Sequence, residues 1–288
     1  MDERYLTSFE DQTTALGYTS GDTTLVSPQV SLVGADEVVY SKEIPHESRI
    51  RFAKDETTGR LYFIIDGVFY AGVDLGLPSG LKWADRNVGA ETPQDNGLYF
   101  SWGNIDGHTV DENSNVIDGY SFDKNAYATT LGGQYKGSTL DTEHDAATVN
   151  MGSEWRMPTM TETLELVQNT DHYYIGEDGS IVAGPFDHTT NYSDKGLDGS
   201  KLRSICFVKK GEEFHYNNRS NFIELPFAGY CFGSLLGDDG LYGYVWSSSV
   251  YESDVEVARY LYFDSGGSLF GDFNDSRYFG LSVRGVRA

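Results

Sequence analysis

The groups in this 288-residue chain that could do chemistry are six histidines, two cysteines and 44 acidic side chains. Their spacing decides what is open to them. His46, His108, His144, His172, His188 and His215 are scattered, with no HExxH and no pair at metal-ligand spacing. No Gly-x-Ser-x-Gly elbow and no phosphate-binding Gly-rich loop occurs. Cys206 and Cys231 both lie in apolar runs without a metal-ligand partner. They read as buried free thiols, which behave as small hydrophobes; a disulfide between neighbouring strands is the alternative. Asp106, Asp111, Glu112, Asp118 and Asp123 fall within residues 104–140, but their spacing matches no EF-hand loop, so they read as a solvated acidic insertion. No metal, cofactor or enzymatic activity is expected.

The chemistry that remains is binding. Residues 265–280 combine Gly, Ser, Asp and Asn with Tyr and Phe, the composition of an antibody paratope. Aromatic rings give contact area at low entropy cost, and small polar residues give adaptable hydrogen bonds. Tyr260, Tyr262 and Asp264 are spaced by two, so on one strand they share a face, with Leu261 and Phe263 turned to the core. Tyr244, Tyr251 and Asp254 precede them. Ser268, Phe270, Asp272, Phe273, Asp275, Tyr278 and Phe279 follow, on a segment expected to be an exposed loop. For Phe270, Phe273 and Phe279 the alternative of tucking inward stays open. Together these thirteen are the candidate ligand-binding residues. Trp83, Trp102, Trp155 and Trp246 read as core, and Arg156, Arg284 and Arg287 as structural ion-pair partners.

The elements that position these residues are mostly strands. Polar residues 1–22 read as an extended arm. Residues 23–71 read as a small β-rich domain, with strands at 25–33, 37–41 and 49–52 and a hairpin of 61–65 and 68–70 around Asp66-Gly67, a strong type I′ turn signal. A short helix is expected over 92–96, from Thr92 as cap and Pro93 in the first turn. A longer helix is expected over 160–169, from the capping-box pattern Thr159-Met160-Thr161-Glu162. Strands are expected at 202–208, 222–231, 244–250, 258–263 and 281–286. The net charge of −23 disfavours nucleic acid and anionic lipid, which need clustered Lys and Arg. No apolar run is long enough to span a membrane, and no signal peptide is visible at the N-terminus.

Seven motifs, DLGLPSGLKWA (74–84), NVGA (87–90), YFSWG (99–103), WRMPTMTE (155–162), LPFAGY (225–230), VWSSS (245–249) and SVRGVR (282–287), resemble the Fibrobacter succinogenes major paralogous domain family. That family is common in gut Bacteroidetes and their phages and belongs to the C-type-lectin-like superfamily. The resemblance covers residues 72–288. It implies an α+β, C-type-lectin-like fold: a twisted antiparallel sheet, two helices and long loops, here preceded by the small β-rich segment. The C-terminal pattern WSSS…FDSG…SVRGVR also resembles the variable proteins of diversity-generating retroelements, in which adenine-directed mutagenesis rewrites codons of the binding face. In this chain that variable region corresponds to 244–279. Such codons do not reach Lys, Gln, Met or Trp. Residues 247–288 contain none of the four, where about three would be expected from 22 in the whole chain. Glu is not reached either, so Glu252 and Glu256 would be invariant positions or lie outside the rewritten codons.

The resemblance implies a non-enzymatic display protein: a phage receptor-binding protein or adhesin on a virion or cell surface, binding a protein or glycan receptor on a bacterium. Residues 1–71 would attach it or join it as a homo-oligomer, a trimer. The alternative is a bacterial cell-surface protein of the same fold without diversification. The superfamily also holds formylglycine-generating oxidases that use two cysteines, but Cys206 and Cys231 stand in strand-like runs away from the C-terminal loop. The calcium-dependent sugar-binding tripeptides of C-type lectins are absent from the sequence.

Overall fold

A computed structural model describes residues 2–5, 29–33, 38–43, 49–54, 61–66, 70–189, 198–217, 219–266 and 271–288. The chain divides into two units, Met1–Ala71 and Gly72–Ala288. This boundary coincides with the one expected from the motifs. The first unit has β1 (Asp2–Tyr5), β2 (Gln29–Val33), β3 (Val38–Glu43), β4 (Arg49–Lys54) and β5 (Leu61–Asp66). β1 pairs with β5 and β5 with β4, while β2 and β3 form a separate hairpin. The start of the expected arm is therefore a paired strand, with Asp2 opposite Ile65 and Tyr5 opposite Tyr62. Residues 67–69, which hold the rest of the turn expected at Asp66-Gly67 and the start of the strand after it, lie outside the described residues.

The second unit is mixed α+β, built mostly of antiparallel sheets. It begins with β6 (Gly72–Asp74), β7 (Lys82–Ala84) and β8 (Tyr99–Phe100). Four short helices follow: α1 (Lys124–Ala128), α2 (Leu131–Gln134), α3 (Ala146–Met151) and α4 (Met160–Gln168). α4 closes its N-terminus with the expected capping box: the Thr159 hydroxyl accepts from the Glu162 N–H, and the Glu162 carboxylate accepts from the Thr159 N–H. Such a cap contributes about 1 kcal/mol. The helix expected over 92–96 is absent. The Asp95 carboxylate takes the Thr92 N–H at 2.7 Å and the Asp95 N–H returns to the Thr92 carbonyl, closing a turn too short to nucleate a helix.

In the insertion expected to be loop, the acidic residues are spent locally. Asp123 caps α1 through the Asn125 and Ala126 N–H groups, and Asp111 accepts from the Asn113 and Asn115 N–H groups. Of the two expected helices, α4 forms, and α1, α2 and α3 are additions among the described residues.

β9 (Thr170–Gly176), β10 (Ile181–Phe186), β11 (Leu202–Lys209) and β12 (Phe222–Pro226) form a four-stranded sheet in the order β10-β9-β11-β12. β13 (Tyr230–Phe232) and β14 (Leu235–Gly237) make a small hairpin. β15 (Tyr242–Tyr251), β16 (Asp254–Asp264), β17 (Gly271–Ser276) and β18 (Leu281–Ser282) join β8 in a five-stranded sheet, ordered β17-β16-β15-β18-β8. β19 (Val286–Arg287) returns to pair with β7.

One core cluster gathers Trp83, Leu166, Ile205, Phe207, Leu225, Val245, Leu261 and Phe263, joining α4 and the two large sheets. Gly243 is required there. It stands opposite Phe263, and a Cβ on it would lie 2.0 Å from the ring. All four tryptophans are buried, as expected. Arg156 pairs with Glu162 at 2.6 Å. Arg284, wholly buried, donates to the Ala84 and Glu224 carbonyls and to the Asn87 side chain. Arg287 lies over the Trp155 ring. Cys206 and Cys231 are buried free thiols, not a disulfide.

Candidate functional site

The pairing of β15, β16 and β17 places side chains on two faces. Val245 and Leu261 are opposite one another, and with Phe263 they enter the core. The other face carries Tyr244 opposite Tyr262, Trp246 opposite Tyr260, Tyr260 opposite Phe273, and Ala258 opposite Asp275. This is the alternation expected for β16.

The rings on this face touch one another in series. Tyr242 stacks on Tyr262 at 5.8 Å, Tyr244 meets Tyr260 at 5.6 Å, and Phe273 meets Tyr262 at 5.0 Å. β13 and the segment after β17 extend the series: Tyr230 lies 5.3 Å from Tyr244 and 5.7 Å from Phe279, and Phe232 lies 5.3 Å from Phe279. Aromatic pairs at these separations contribute about 0.5–1.5 kcal/mol each beyond their buried area, so the face is ordered before any ligand arrives.

A pocket of about 220 Å³ opens in this face, lined by Tyr230, Asp238, Tyr244, Tyr260, Asp275, Phe279 and Leu281. The electrostatics are one-signed. Burial holds the Asp275 carboxyl above the usual carboxylate range. Burial, reinforced by the Asp275 charge, pushes the Tyr260 hydroxyl up to about 12. Tyr244 is raised by burial and then by the Asp238 charge, and Tyr262 by burial and then by Asp264. The tyrosines are therefore neutral donors at neutral pH. A larger, more open groove of about 560 Å³, lined by residues 89–91, 94–99, 109 and 110, holds none of the sequence candidates.

The thirteen candidates separate into groups. Tyr244, Tyr260, Asp275 and Phe279 line the pocket; Tyr262 and Phe273 adjoin it, and Tyr278 packs edge-on to Phe279 at 5.0 Å. Two of the expected surface residues are buried. Tyr260 is 7 % exposed, because the cluster containing Phe100, Trp102, Met157 and Trp246 covers its face of β16. Asp264 is also 7 % exposed; its backbone carbonyl accepts from the Tyr174 hydroxyl.

Asp272 does not join the site. It stands opposite Leu261, on the other face of β17, and pairs with Arg259 at 3.3 Å. Tyr251 and Asp254 face each other at the far end of the β15–β16 hairpin, while Tyr242 and Asp264 pair at the pocket end. The segment expected to be loop contains β17, so Asp272, Phe273 and Asp275 are strand residues. Ser268 and Phe270 lie outside the described residues.

The sequence reading missed Tyr230, Asp238 and Leu281 in the pocket and Tyr242 and Phe232 beside it. Tyr230 arrives through a bridge between Cys231 and Gly280. Asp238 holds a left-handed turn with φ 60°, where the Leu241 and Tyr242 N–H groups return to its carbonyl. The one available signal was Gly-Asp-Asp-Gly at 237–240, a turn composition between two apolar runs.

Beneath the site, Arg277 is a fixed anchor. It is 4 % exposed, donates to the carbonyls of Gly132, Tyr135 and Val255, and lies 4.2 Å from the Trp102 ring centre. Among the described residues, no three His, Cys, Asp or Glu side chains converge as a metal site, and no helix is long and apolar enough to cross a membrane. No family model, curated protein or solved structure matches the chain.

Proposed function

We propose that this chain is a non-enzymatic display protein. In this reading the unit Gly72–Ala288 is a C-type-lectin-like domain whose β15–β17 face binds a protein or glycan receptor, on a phage tail or a cell surface. The observation that carries the reading is the preassembled aromatic face with its pocket. Tyr-rich surfaces surrounding a concave site are where binding energy concentrates. The mostly antiparallel architecture with short helices and long connections fits the fold. Retroelement diversification fits the position of the face, because Tyr244, Tyr260, Tyr262, Phe273, Asp275 and Phe279 all fall within 244–279. Attachment or trimerisation is assigned to residues 1–71, and sedimentation of the full chain as a monomer would remove the trimer.

The test of the face is binding of the purified protein to a panel of bacterial cells and to a glycan array. Y262A/F273A/F279A should lower binding to whatever is captured by about thirtyfold or more, a loss that one central aromatic contact worth about 2 kcal/mol already supplies. Retained binding would show that the contact surface lies elsewhere. Sequencing the gene in independent isolates tests diversification. Substitutions should be confined to 244–279 and to adenine positions; changes spread along the gene would leave an undiversified surface protein.

A further inference from the structure

The proposed face leaves the chemistry of its ligand open, but the pocket's inventory narrows it. Its lining offers the rings of Tyr230, Tyr244, Tyr260 and Phe279, the three tyrosine hydroxyls, and carboxylates from Asp238 and Asp275. No Lys, Arg, His, Asn or Gln lines it. Asp272, three residues before Asp275 on β17, has Arg259 as its cation. Among the described residues neither Asp238 nor Asp275 has one. Among the described residues, the one hydrogen bond to the Asp275 carboxylate comes from the neighbouring Ser276 N–H at 2.7 Å. Arg277, the closest arginine in sequence, is committed to backbone carbonyls and to Trp102.

From this, and resting on the display reading above, we infer that the pocket takes a cationic side chain, arginine or lysine, presented by a protein receptor. Guanidinium and ammonium groups carry only donors, five and three respectively, and so complement acceptor-only carboxylates. Electron-rich ring faces attract the same groups, more strongly once water is excluded. A sugar's hydroxyls can donate to the carboxylates and accept from the tyrosine hydroxyls, but a neutral sugar brings no charge to balance Asp238 and Asp275. Size agrees: about 220 Å³ is below the roughly 300 Å³ at which pockets begin to enclose a whole drug-sized ligand, and so suits one side chain. The carboxyl of Asp275, held above its usual range by burial, is the group such a cation would return to its ordinary ionisation. The chain's net charge of −23 would also speed the approach of a basic partner at low salt.

The experiment is an NMR titration of the full chain at low ionic strength. The probes are N-acetyl-arginine methylamide, the lysine analogue, the neutral isostere N-acetyl-citrulline methylamide and methyl mannoside. The arginine and lysine probes should saturate with Kd of about 1–10 mM, the range of one or two charge-assisted contacts. Citrulline and mannoside should bind at least tenfold more weakly. D238N and D275N should each weaken the cationic probes about tenfold, while D178N, in the β9–β10 turn, should not. Asn tolerates the left-handed backbone of Asp238, and removing the half-buried Asp275 charge should not unfold the protein. Comparing arginine with citrulline on the unaltered chain needs no variant at all.

Citrulline or mannoside binding as well as arginine, or D238N and D275N binding arginine as well as the unaltered chain, would overturn the assignment. The two readings fail separately. Cell binding that survives Y262A/F273A/F279A sinks the display face. Cell binding that is lost there but unchanged in D238N/D275N, with no arginine saturation, sinks only the cation.

Discussion

Replacing Tyr260 with alanine separates packing from display more sharply than any other change at the site. The ring is 7 % exposed. It meets Trp246 edge-on at 5.7 Å, Tyr244 at 5.6 Å and Phe273 at 6.3 Å. Truncating a buried aromatic to alanine costs about 3–5 kcal/mol, and loosening three ring pairs falls within that range. Tyr260 also lines the pocket, which allows some relaxation, so about 3 kcal/mol is the expected loss. For a unit of this size that corresponds to a fall in Tm of about 6–12 °C. Y260F keeps the ring and should change stability by less than about 1 kcal/mol. The assay is urea unfolding followed by tryptophan fluorescence, with Y262A as comparison, since Tyr262 is half-exposed. If Y260A unfolds within about 1 kcal/mol of the unaltered chain, the ring is not packed as described and the pocket has no fixed wall.

Two further outcomes test what supports the site. His172 is fully buried against Phe207, and burial lowers its pKa to about 4. The unfolded chain takes up this proton near the ordinary value of about 6.5 while the folded chain stays neutral, so its contribution is complete above about 6.5 and is lost as pH falls towards 4. That is about 3 kcal/mol, and the stability difference between the unaltered chain and H172Q should shrink by most of it between pH 7 and pH 4; a constant difference refutes the assignment. R277A should destabilise by at least about 3 kcal/mol, because the Gly132, Tyr135 and Val255 carbonyls lose their donor in a buried setting. Stability unchanged in denaturant titration would show that water replaces the guanidinium.

Features encoded in a few consecutive residues were legible in the sequence. The Thr159–Glu162 box forms as written, and the period of two in Tyr260-Leu261-Tyr262-Phe263 assigns two faces correctly. What periodicity does not carry is which part of the chain covers a face. Tyr260 became core because residues from β8 and α3 reach it, and that approach has no local signature. The pocket's Tyr230 and Asp238 were out of reach for the same reason: long-range pairing brings them in. At Thr92 the signals for a helix were real but short, and one carboxylate, Asp95, outcompeted them. β9 was hidden because Asp171 and His172 interrupt its apolar pattern, although His172 packs inside.

The two-sidedness of β16 has a consequence for how this surface can change. Tyr242 and Tyr244, Tyr262 and Tyr260, and Phe273 and Asp275 occupy three adjacent strands. Neighbouring strands lie about 4.8 Å apart, and alternate residues about 6.7 Å apart along each strand. The face is thus a raster with fixed pitch, and its backbone is held from behind by Val245, Leu261 and Phe263. A side chain at a raster point can be exchanged without moving its neighbours' attachment points. On the proposed display reading, specificity would be rewritten position by position on an unchanged lattice, with Tyr260 as the point where the freedom to vary is smallest.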